Sequence, residues 1–529
     1  MKAKIILTTL LLGFSLSGYP QNTLQRDSLR SDFRTLVRYI EETHPDPYTI
    51  FGGRVAFRIE VQETELQIGE EMTLEQYSAL LSRFVSNLRD GHTYVRPATS
   101  SGGNATRILP VKTRVIEEGI LFIGLPDSLH PALGSLIESV NGVPAEELKE
   151  RAIEYRPTEN DPGAWKSLAQ LISTSSAARS LFSNVEALTF TVKCAGGEKH
   201  TFSLPFTERE AIGNLSEIPA WDDYPDNDYL AYRFIDAANQ TMLFRLASVA
   251  DRSAFRMMQS NGMAYNDYLT WFYRQYIGGE LPETTDEMID ALPCLSEEFS
   301  HMLKEMKRHR SQNLIIDLRG NSGGMTPITL PTIYQLYGDR YLETDMGNRF
   351  YRIVSPLYME KMGTTLDEFN QKRNPPLYFG DIIYSEQSGI PVEEKREQFL
   401  QNAMDCVRPF LPDDGTATYT PPKVYVITDV NTFSAAFHYS YYLSKMGAII
   451  VGTTSGQAPN CFMESTPFTL PYSGLTGSIS NSLQQFLPME DPRAREFTPD
   501  IPIDYETWEK YGFDAHTPVL YLLHEVIGK

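Results

Sequence analysis

The feature that most constrains the fold is a short apolar run followed directly by a glycine-rich turn. Residues 313–324 read Asn-Leu-Ile-Ile-Asp-Leu-Arg-Gly-Asn-Ser-Gly-Gly. The run Leu314 to Ile316 is typical of a buried strand, and the Gly, Asn and Ser residues after it predict a turn. Glycine permits a positive φ and leaves the amide N–H groups around it uncovered by side chains. We therefore expect a strand that delivers a loop to a cleft, where its amides could stabilise an oxyanion if they converge on one point.

A second stretch of similar character follows later in the chain. The apolar segment Lys423–Val430 is followed by Asn-Thr-Phe-Ser434-Ala435, which predicts a strand, a turn and a helix that begins at Ser434. A serine at this position is most often an N-cap. The same position also suits a nucleophile, because the helix N-terminus stabilises the anion formed on attack and the Ala435 N–H can donate to it.

In this order the two stretches resemble the signature of the tail-specific, or C-terminal processing, serine peptidases. That family includes the tricorn core protease and the chlamydial protease-like factor. The resemblance implies an α/β fold with a crotonase- or ClpP-like catalytic core, a PDZ-like module and an N-terminal helical module. It also implies Ser434 as the nucleophile and an oxyanion hole built from the amides of Gly323 or Gly324 and of Ala435.

The proton acceptor is where the chain departs from the tail-specific branch. That branch uses a lysine after the next strand, but the segment Gly452–Asn460 has Gln457 at its first lysine-like position, and glutamine cannot act as a base. The tricorn and chlamydial branches use an N-terminal histidine, which His92 in Asp-Gly-His-Thr matches. Its imidazole has a pKa close to neutral, which suits a general base. His438 is the rival, although a side chain at i+4 from Ser434 tends to lie along the helix surface.

A carboxylate should orient the imidazole through its other nitrogen. In the family this acidic residue lies a few positions before a Pro-Asp-Ile segment, which the tail from Pro499 resembles. That spacing favours Glu490, with Asp491 and Glu496 as alternatives. Asp317 and Arg319 are expected to lock the central loop by pairing rather than to take part in chemistry.

The resemblance thus implies a serine endopeptidase that acts on a peptide or protein and needs no cofactor or metal. An alternative is a non-catalytic peptide- or lipid-binding protein of the same fold, as in the interphotoreceptor retinoid-binding proteins. A scaffold that uses only the PDZ-like groove is a third possibility. Loss of the family lysine keeps the binding-protein alternative open, and the scaffold would not need Ser434.

Charge and the N-terminus restrict partners and location. The net charge of −21, from 47 basic and 68 acidic residues, disfavours nucleic acid as a partner. Met1 to Gly18 has the basic start, apolar core and small-residue exit of a secretory signal peptide, with cleavage expected between Gly18 and Gln21. Its apolar run is shorter than the roughly 20 residues of a membrane span, and no other segment is apolar enough to span. We expect an exported protein, periplasmic or extracellular.

Pattern and length divide the chain into several predicted parts. They are a signal peptide at 1–21, a helical module at 22–100, a PDZ-like domain at 101–210, and a catalytic domain at 211–529 with insertions near 255–300 and 340–420. The PDZ-like reading depends on Gly134–Leu148, an apolar strand, an Asn-Gly turn and a helix start.

Two sets of residues that could bind a metal or form a disulfide are expected to do neither. Four cysteines, Cys194, Cys294, Cys406 and Cys461, form no CxxC pair, and buried thiols are favoured over disulfides. His301, Glu305 and His309 share one helical face, but without HExxH spacing a solvated face is favoured over a metal site.

Overall fold

The computed structural model describes residues 24–96, 107–183, 185–209, 213–225, 229–371, 373–384 and 390–528. The predicted signal peptide lies outside these ranges. Within them, no helix has the length and apolar character needed to cross a bilayer.

The N-terminal helices share a core with a distant part of the chain. The elements are β1 (Leu24–Gln25), α1 (Arg26–Thr43), α2 (Arg54–Leu66), β2 (Glu71–Met72), α3 (Leu74–Ser86) and β3 (Tyr94–Val95). Leu29, Phe33 and Leu36 recur at helical spacing and are fully buried. They belong to the same apolar cluster as Leu470 and Ile479, far along the chain. The helices therefore pack on the C-terminal half rather than forming a separate unit.

The middle segment forms an antiparallel sheet. Its elements are β4 (Lys112–Ile116), β5 (Gly119–Pro126), β6 (Leu136–Val140), β7 (Val143–Pro144), α4 (Ala145–Ala152), α5 (Asp161–Leu171), α6 (Ser175–Ala178), β8 (Ala187–Lys193), β9 (Lys199–Pro205) and β10 (Leu215–Glu217). The order is β10-β5-β6-β8-β9, with β4 beside β5 and β7 beside β6. Asn141 and Gly142, both at positive φ, make the Asn-Gly turn between β6 and β7. The sheet extends to Glu217, beyond the boundary predicted at residue 210.

The remaining elements build the part of the molecule that carries the central loop. In chain order they are β11 (Leu230–Phe234), β12 (Thr241–Leu246), α7 (Arg252–Ser260), α8 (Asn266–Phe272), α9 (Thr285–Asp290), α10 (Leu295–His309), β13 (Asn313–Asp317), α11 (Leu330–Tyr337), α12 (Asp339–Glu343), β14 (Arg349–Ile353), α13 (Pro356–Lys361), α14 (Leu366–Asn370), β15 (Ile382–Ile383), α15 (Val392–Gln401), β16 (Lys423–Thr428), α16 (Ala435–Lys445), β17 (Ile449–Gly452), β18 (Cys461–Thr469), β19 (Thr476–Gln485), β20 (Ile501–Pro502), α17 (Tyr505–Lys510) and α18 (Thr517–Tyr521). Short 3-10 helices lie at Thr49–Phe51, Asp127–Ala132, Ala195–Gly197, Thr326–Ile328, Arg408–Phe410 and Pro492–Ala494, and π-helical turns at Tyr273–Ile277 and Leu522–Ile527.

A six-stranded sheet brings the two predicted strand–loop segments together. Its order is β11-β12-β13-β16-β17-β20, parallel throughout except for the antiparallel edge strand β11. All five residues of β13 are buried, as expected of a parallel strand covered on both faces. Because β13 and β16 are parallel neighbours, the loops that follow them leave the sheet at the same edge. Ligand sites of open α/β sheets form at this edge.

A second sheet carries the turn that contains His92. Its order is β15-β14-β19-β18, and β3 also pairs with β19. This pairing fixes the turn before β3 beside the long β18–β19 hairpin. The fold is thus mixed α/β, with the second insertion supplying β14 and β15 to the sheet.

Candidate active site

Ser434 adopts a conformation that a serine takes only when its surroundings enforce it. Its φ is 54° and its ψ is −123°, and its side chain makes no capping hydrogen bond at the start of α16. A non-glycine residue at such a φ stores roughly 1–3 kcal/mol of strain, and such residues concentrate at functional sites. Gln457, fully buried, holds this backbone by accepting the Ser434 N–H with its Oε1.

The glycine loop lies directly against Ser434. A Cβ added to Gly323, whose φ is +103°, would lie 2.7 Å from Ser434 Cβ and 2.9 Å from the Ala435 nitrogen. A Cβ on Gly324 would lie 2.0 Å from the Val249 carbonyl oxygen. Only glycine fits at either position, because any side chain would collide with backbone on the other side.

Of the three amide N–H groups expected to bind the oxyanion, two have no other hydrogen-bond acceptor in the described residues. The Gly323 N–H donates to Asn321 Oδ1 at 2.9 Å and is therefore committed to the loop itself. The N–H groups of Gly324 and Ala435 have no acceptor within the described ranges. Ala435 is the first residue of α16, where an amide has no partner within the helix.

His92 is positioned beside the serine segment by a buried turn. Asp90, fully buried, accepts the His92 N–H at 2.8 Å and the Thr93 hydroxyl, and its Oδ2 lies 3.4 Å from His44 Nε2. The His92 ring lies 5.2 Å from the ring of Phe433, the residue before Ser434, at an interplanar angle of 30°. Two residues more than 300 positions apart in the chain thus meet in the fold.

The carboxylate beside His92 belongs to Glu159. Its Oε1 lies 3.7 Å from His92 Nδ1 and accepts a hydrogen bond from the Gly91 N–H at 3.3 Å. Its Oε2 accepts a hydrogen bond from the Ala458 N–H at 2.9 Å. Glu159 is buried. Burial alone would lower the pKa of His92, but Glu159, through contact and charge, and the charge of Asp90 outweigh it and raise that pKa above its usual value.

Residues 294–501 match the model of peptidase family S41. This range contains the glycine loop, Ser434 and Gln457. The chain carries an S41 serine-type peptidase domain. No curated protein sequence matches the chain.

Solved structures extend the likeness in fold beyond the S41 domain. The structure of mature CPAF complexed with lactacystin aligns with a TM-score of 0.55 at 12% identity, covering 94% of this chain and 99% of that one. Mature CPAF alone aligns with a TM-score of 0.54 at 12% identity, covering 95% and 98%. The photosystem II D1 C-terminal processing protease gives a TM-score of 0.40 at 12% identity, covering 91% and 94%. At 12% identity the likeness to the two CPAF structures concerns the fold alone.

The carboxylate predicted as partner of His92 lies elsewhere. Glu490, at the end of the S41 domain, is exposed and lines a surface cavity of about 550 Å³ with Arg349, Tyr351 and Lys445. Asp491 pairs with Arg493. Neither of these, nor Glu496, has a contact with His92 in the described residues. The carboxylate that does lie beside His92 is that of Glu159, which precedes α5 in the middle segment.

His438, the rival base, is buried and already engaged. Its Nδ1 lies 2.8 Å from Thr326 Oγ1. Burial lowers the pKa of His438 to about 4, so its ring is neutral at physiological pH. The lower pKa makes it a weaker base than His92.

Asp317 and Arg319 form the expected pair at the start of the glycine loop. Asp317 is fully buried and also accepts the hydroxyl hydrogen of Tyr224. Burial raises the pKa of Asp317, but the Arg319 charge and hydrogen bonds outweigh it and lower the pKa well below the usual range. Arg319 also donates to the Ala515 carbonyl, which ties the loop to the C-terminal segment.

One group in the described residues has the spacing to hold a metal ion. The potential ligand atoms of Asp90, His92 and Glu159 lie within 4.8 Å of one another. The two carboxylates already accept hydrogen bonds from backbone amides and from Thr93, so their negative charge is stabilised by the protein itself. Within the described ranges, His301, Glu305 and His309 do not bring three potential ligand atoms close enough together to hold a metal ion.

Proposed function

We propose that the protein is an exported serine endopeptidase in which Ser434 is the nucleophile and His92 the general base. The observation that carries this is the contact of Gly323 with a strained Ser434 at the edge where β13 and β16 end. A structural N-cap would need neither the positive φ nor a glycine packed on its Cβ. The strain is explained if the side chain must face the cleft instead of capping the helix.

In the proposed reaction Ser434 Oγ attacks the peptide carbonyl carbon while His92 takes the hydroxyl proton. The tetrahedral oxyanion accepts hydrogen bonds from the N–H groups of Gly324 and Ala435, both otherwise unpaired in the described residues. His92 then gives its proton to the leaving amine, and an acyl-enzyme remains on Ser434. Water attacks this ester with His92 again as base, which releases the acid and restores both side chains.

Glu159 is proposed to complete the triad. Its carboxylate faces Nδ1, so it favours the tautomer whose Nε2 can accept a proton and stabilises the imidazolium formed on attack. The amides of Gly91 and Ala458 fix the carboxylate in place. Gln457, at the position of the family lysine, serves a different purpose, because its oxygen accepts the Ser434 amide and a glutamine has no basic group.

The accessory parts are proposed to present the substrate. The antiparallel sheet with α4 beside β6 and β7 is the candidate PDZ-like module, which would bind an extended peptide strand. Residues 1–21 are the candidate secretory signal. Peptides or proteins are therefore the proposed substrates, outside the cytoplasm.

A fluorophosphonate probe tests the catalytic proposal, because it phosphonylates an activated serine. We expect labelling of the wild-type protein at Ser434, none in Ser434→Ala, and a loss of about 10²–10⁴-fold in rate in His92→Ala. Ser444→Ala is the matched control, since Ser444 lies on the same helix but its hydroxyl donates a hydrogen bond to the Tyr441 carbonyl oxygen. Absence of labelling in the folded wild-type protein would favour the non-catalytic binding alternative.

A further inference from the structure

Two cysteines from distant segments meet outside the proposed catalytic site. Cys294 is fully buried at the N-cap of α10, and Cys406 is partly buried in the segment after α15. The Cys294 Sγ–H donates to the carbonyl oxygen of Cys406 at 3.3 Å, across 112 positions of sequence. Both thiols belong to one apolar cluster with Tyr334, Leu400 and Val407.

We propose that Cys294 and Cys406 are a disulfide-forming pair that fastens the 340–420 insertion to α10 in an oxidising compartment. The sequence favoured buried, inert thiols, because the spacing of the cysteines gave no sign that any two would meet. The fold brings this pair together while the other two cysteines remain apart. Cys194 lies in the apolar cluster of the middle sheet, and Cys461 accepts a hydrogen bond from Gln457.

The two thiols differ in pKa and in exposure, so one is expected to react with an oxidant before the other. Contact with the Cys294 thiol lowers the pKa of Cys406, whereas contact with Cys406, together with burial, raises the pKa of Cys294. Cys406 is also the more exposed of the two. Because thiolate is the reactive form, Cys406 is the expected site of first attack on an external oxidant.

The reaction balances with a disulfide as the oxidant. The Cys406 thiolate attacks one sulfur of an external disulfide and releases a thiolate, leaving a mixed disulfide on Cys406. The Cys294 thiol then loses its proton, attacks the Cys406 sulfur and releases the second external thiolate. Two protons and two electrons pass from the pair to the oxidant.

The resulting bond would close a loop that contains β13, the glycine loop and α11. Its ends lie on α10, which packs against α11, and on the segment that follows α15. A cross-link over a loop of this length constrains the unfolded chain strongly. The insertion could not then separate from the core without reduction.

Oxidised glutathione is the probe for this proposal. The wild-type protein, first fully reduced, is exposed to it, and free thiols and peptides are analysed without reduction. We expect four free thiols to become two, one linked peptide pair containing Cys294 and Cys406, and faster migration on a non-reducing gel. Glutathione adducts without this pair, or a bond involving Cys194 or Cys461, would overturn the proposal.

Single variants test the order of attack. In Cys294→Ser we expect glutathione to remain as a mixed disulfide on Cys406, since the resolving thiol is gone. In Cys406→Ser we expect at least tenfold slower modification of the buried Cys294. Cys194→Ser is the matched control and should form the linked pair at the wild-type rate. Equal reactivity of Cys294 and Cys406 in the two variants would contradict the proposed order.

Discussion

Replacing Glu159 by Gln removes one negative charge beside His92 while keeping the size of the side chain. At 3.7 Å and an effective dielectric constant of about 20, Coulomb's law gives about 4 kcal/mol between this carboxylate and an imidazolium. At 1.36 kcal/mol for each factor of ten, that energy corresponds to at most about 10³-fold in rate. Because the amide dipole of Gln still faces Nδ1, we expect a loss of about 10²–10³-fold.

The same variant should also change the dependence of the rate on pH. His92 must be neutral to accept the serine proton, so the rate rises as pH passes the His92 pKa. In the wild-type protein Glu159 helps to raise this pKa against the effect of burial, which holds His92 in its inactive protonated form to a higher pH. Without that carboxylate a major cause of the raised His92 pKa is lost, so the acidic limb of the profile should move to lower pH.

The assay is the rate constant of fluorophosphonate labelling, measured across a series of pH values in wild type and variants. Glu490→Gln is the matched control, because it removes the same charge from an exposed position and should leave the rate and the profile within about twofold of wild type, as for most surface substitutions. The reasoning is refuted if Glu490→Gln shows the large loss and Glu159→Gln does not. An acidic limb that stays in place in Glu159→Gln would also refute it.

Three further substitutions probe the support of the site. Gln457→Ala removes the acceptor of the Ser434 amide, so we expect labelling to fall by about tenfold or more, consistent with about 1.5–3 kcal/mol for a buried hydrogen bond left unmade, with far-UV circular dichroism unchanged. Gly323→Ala places a Cβ against Ser434 and the Ala435 nitrogen at a φ of +103°. Labelling should drop by at least about 10²-fold, because the added Cβ displaces the nucleophile and the Ala435 donor of the oxyanion hole. Asp317→Asn leaves the partly buried Arg319 without its charge partner and should lower the free energy of unfolding in urea by about 3–5 kcal/mol at neutral pH. Since the pKa of Asp317 is lower in the folded than in the unfolded state, the stability difference between wild type and variant should be full at pH values above the unfolded-state pKa. It should shrink as pH falls towards the folded-state pKa. A stability difference that does not depend on pH would contradict the pairing.

Local patterns predicted the strand–loop segments because all the information lies within a few residues. An apolar run such as Leu314 to Ile316 predicts a buried strand, and the glycines after it predict a turn. Parallel pairing of β13 with β16 then places both loops at one edge of the sheet. Resemblance added His92, for which no local pattern in the chain would have sufficed.

Glu159 could not be found in this way because its role depends on tertiary packing. It stands in the polar run Thr-Glu-Asn-Asp at 158–161, which reads as the start of a helix, and Asn160 is indeed the N-cap of α5. Only the docking of α5 on the S41 domain, where Asn160 Nδ2 donates to the Ser455 carbonyl, carries Glu159 to His92. The pairing of β3 with β19 and the meeting of Cys294 with Cys406 escaped prediction for the same reason.

The most direct test of the central claim is a crystal structure of the fluorophosphonate adduct. The phosphonyl oxygen imitates the oxyanion of the tetrahedral intermediate. The account predicts an adduct on Ser434 Oγ, with this oxygen at about 2.7–3.1 Å from the nitrogens of Gly324 and Ala435. It also predicts the His92 ring within hydrogen-bond reach of the modified Ser434 oxygen. An adduct whose oxygen faces solvent, with His92 remote from Ser434, would contradict the account.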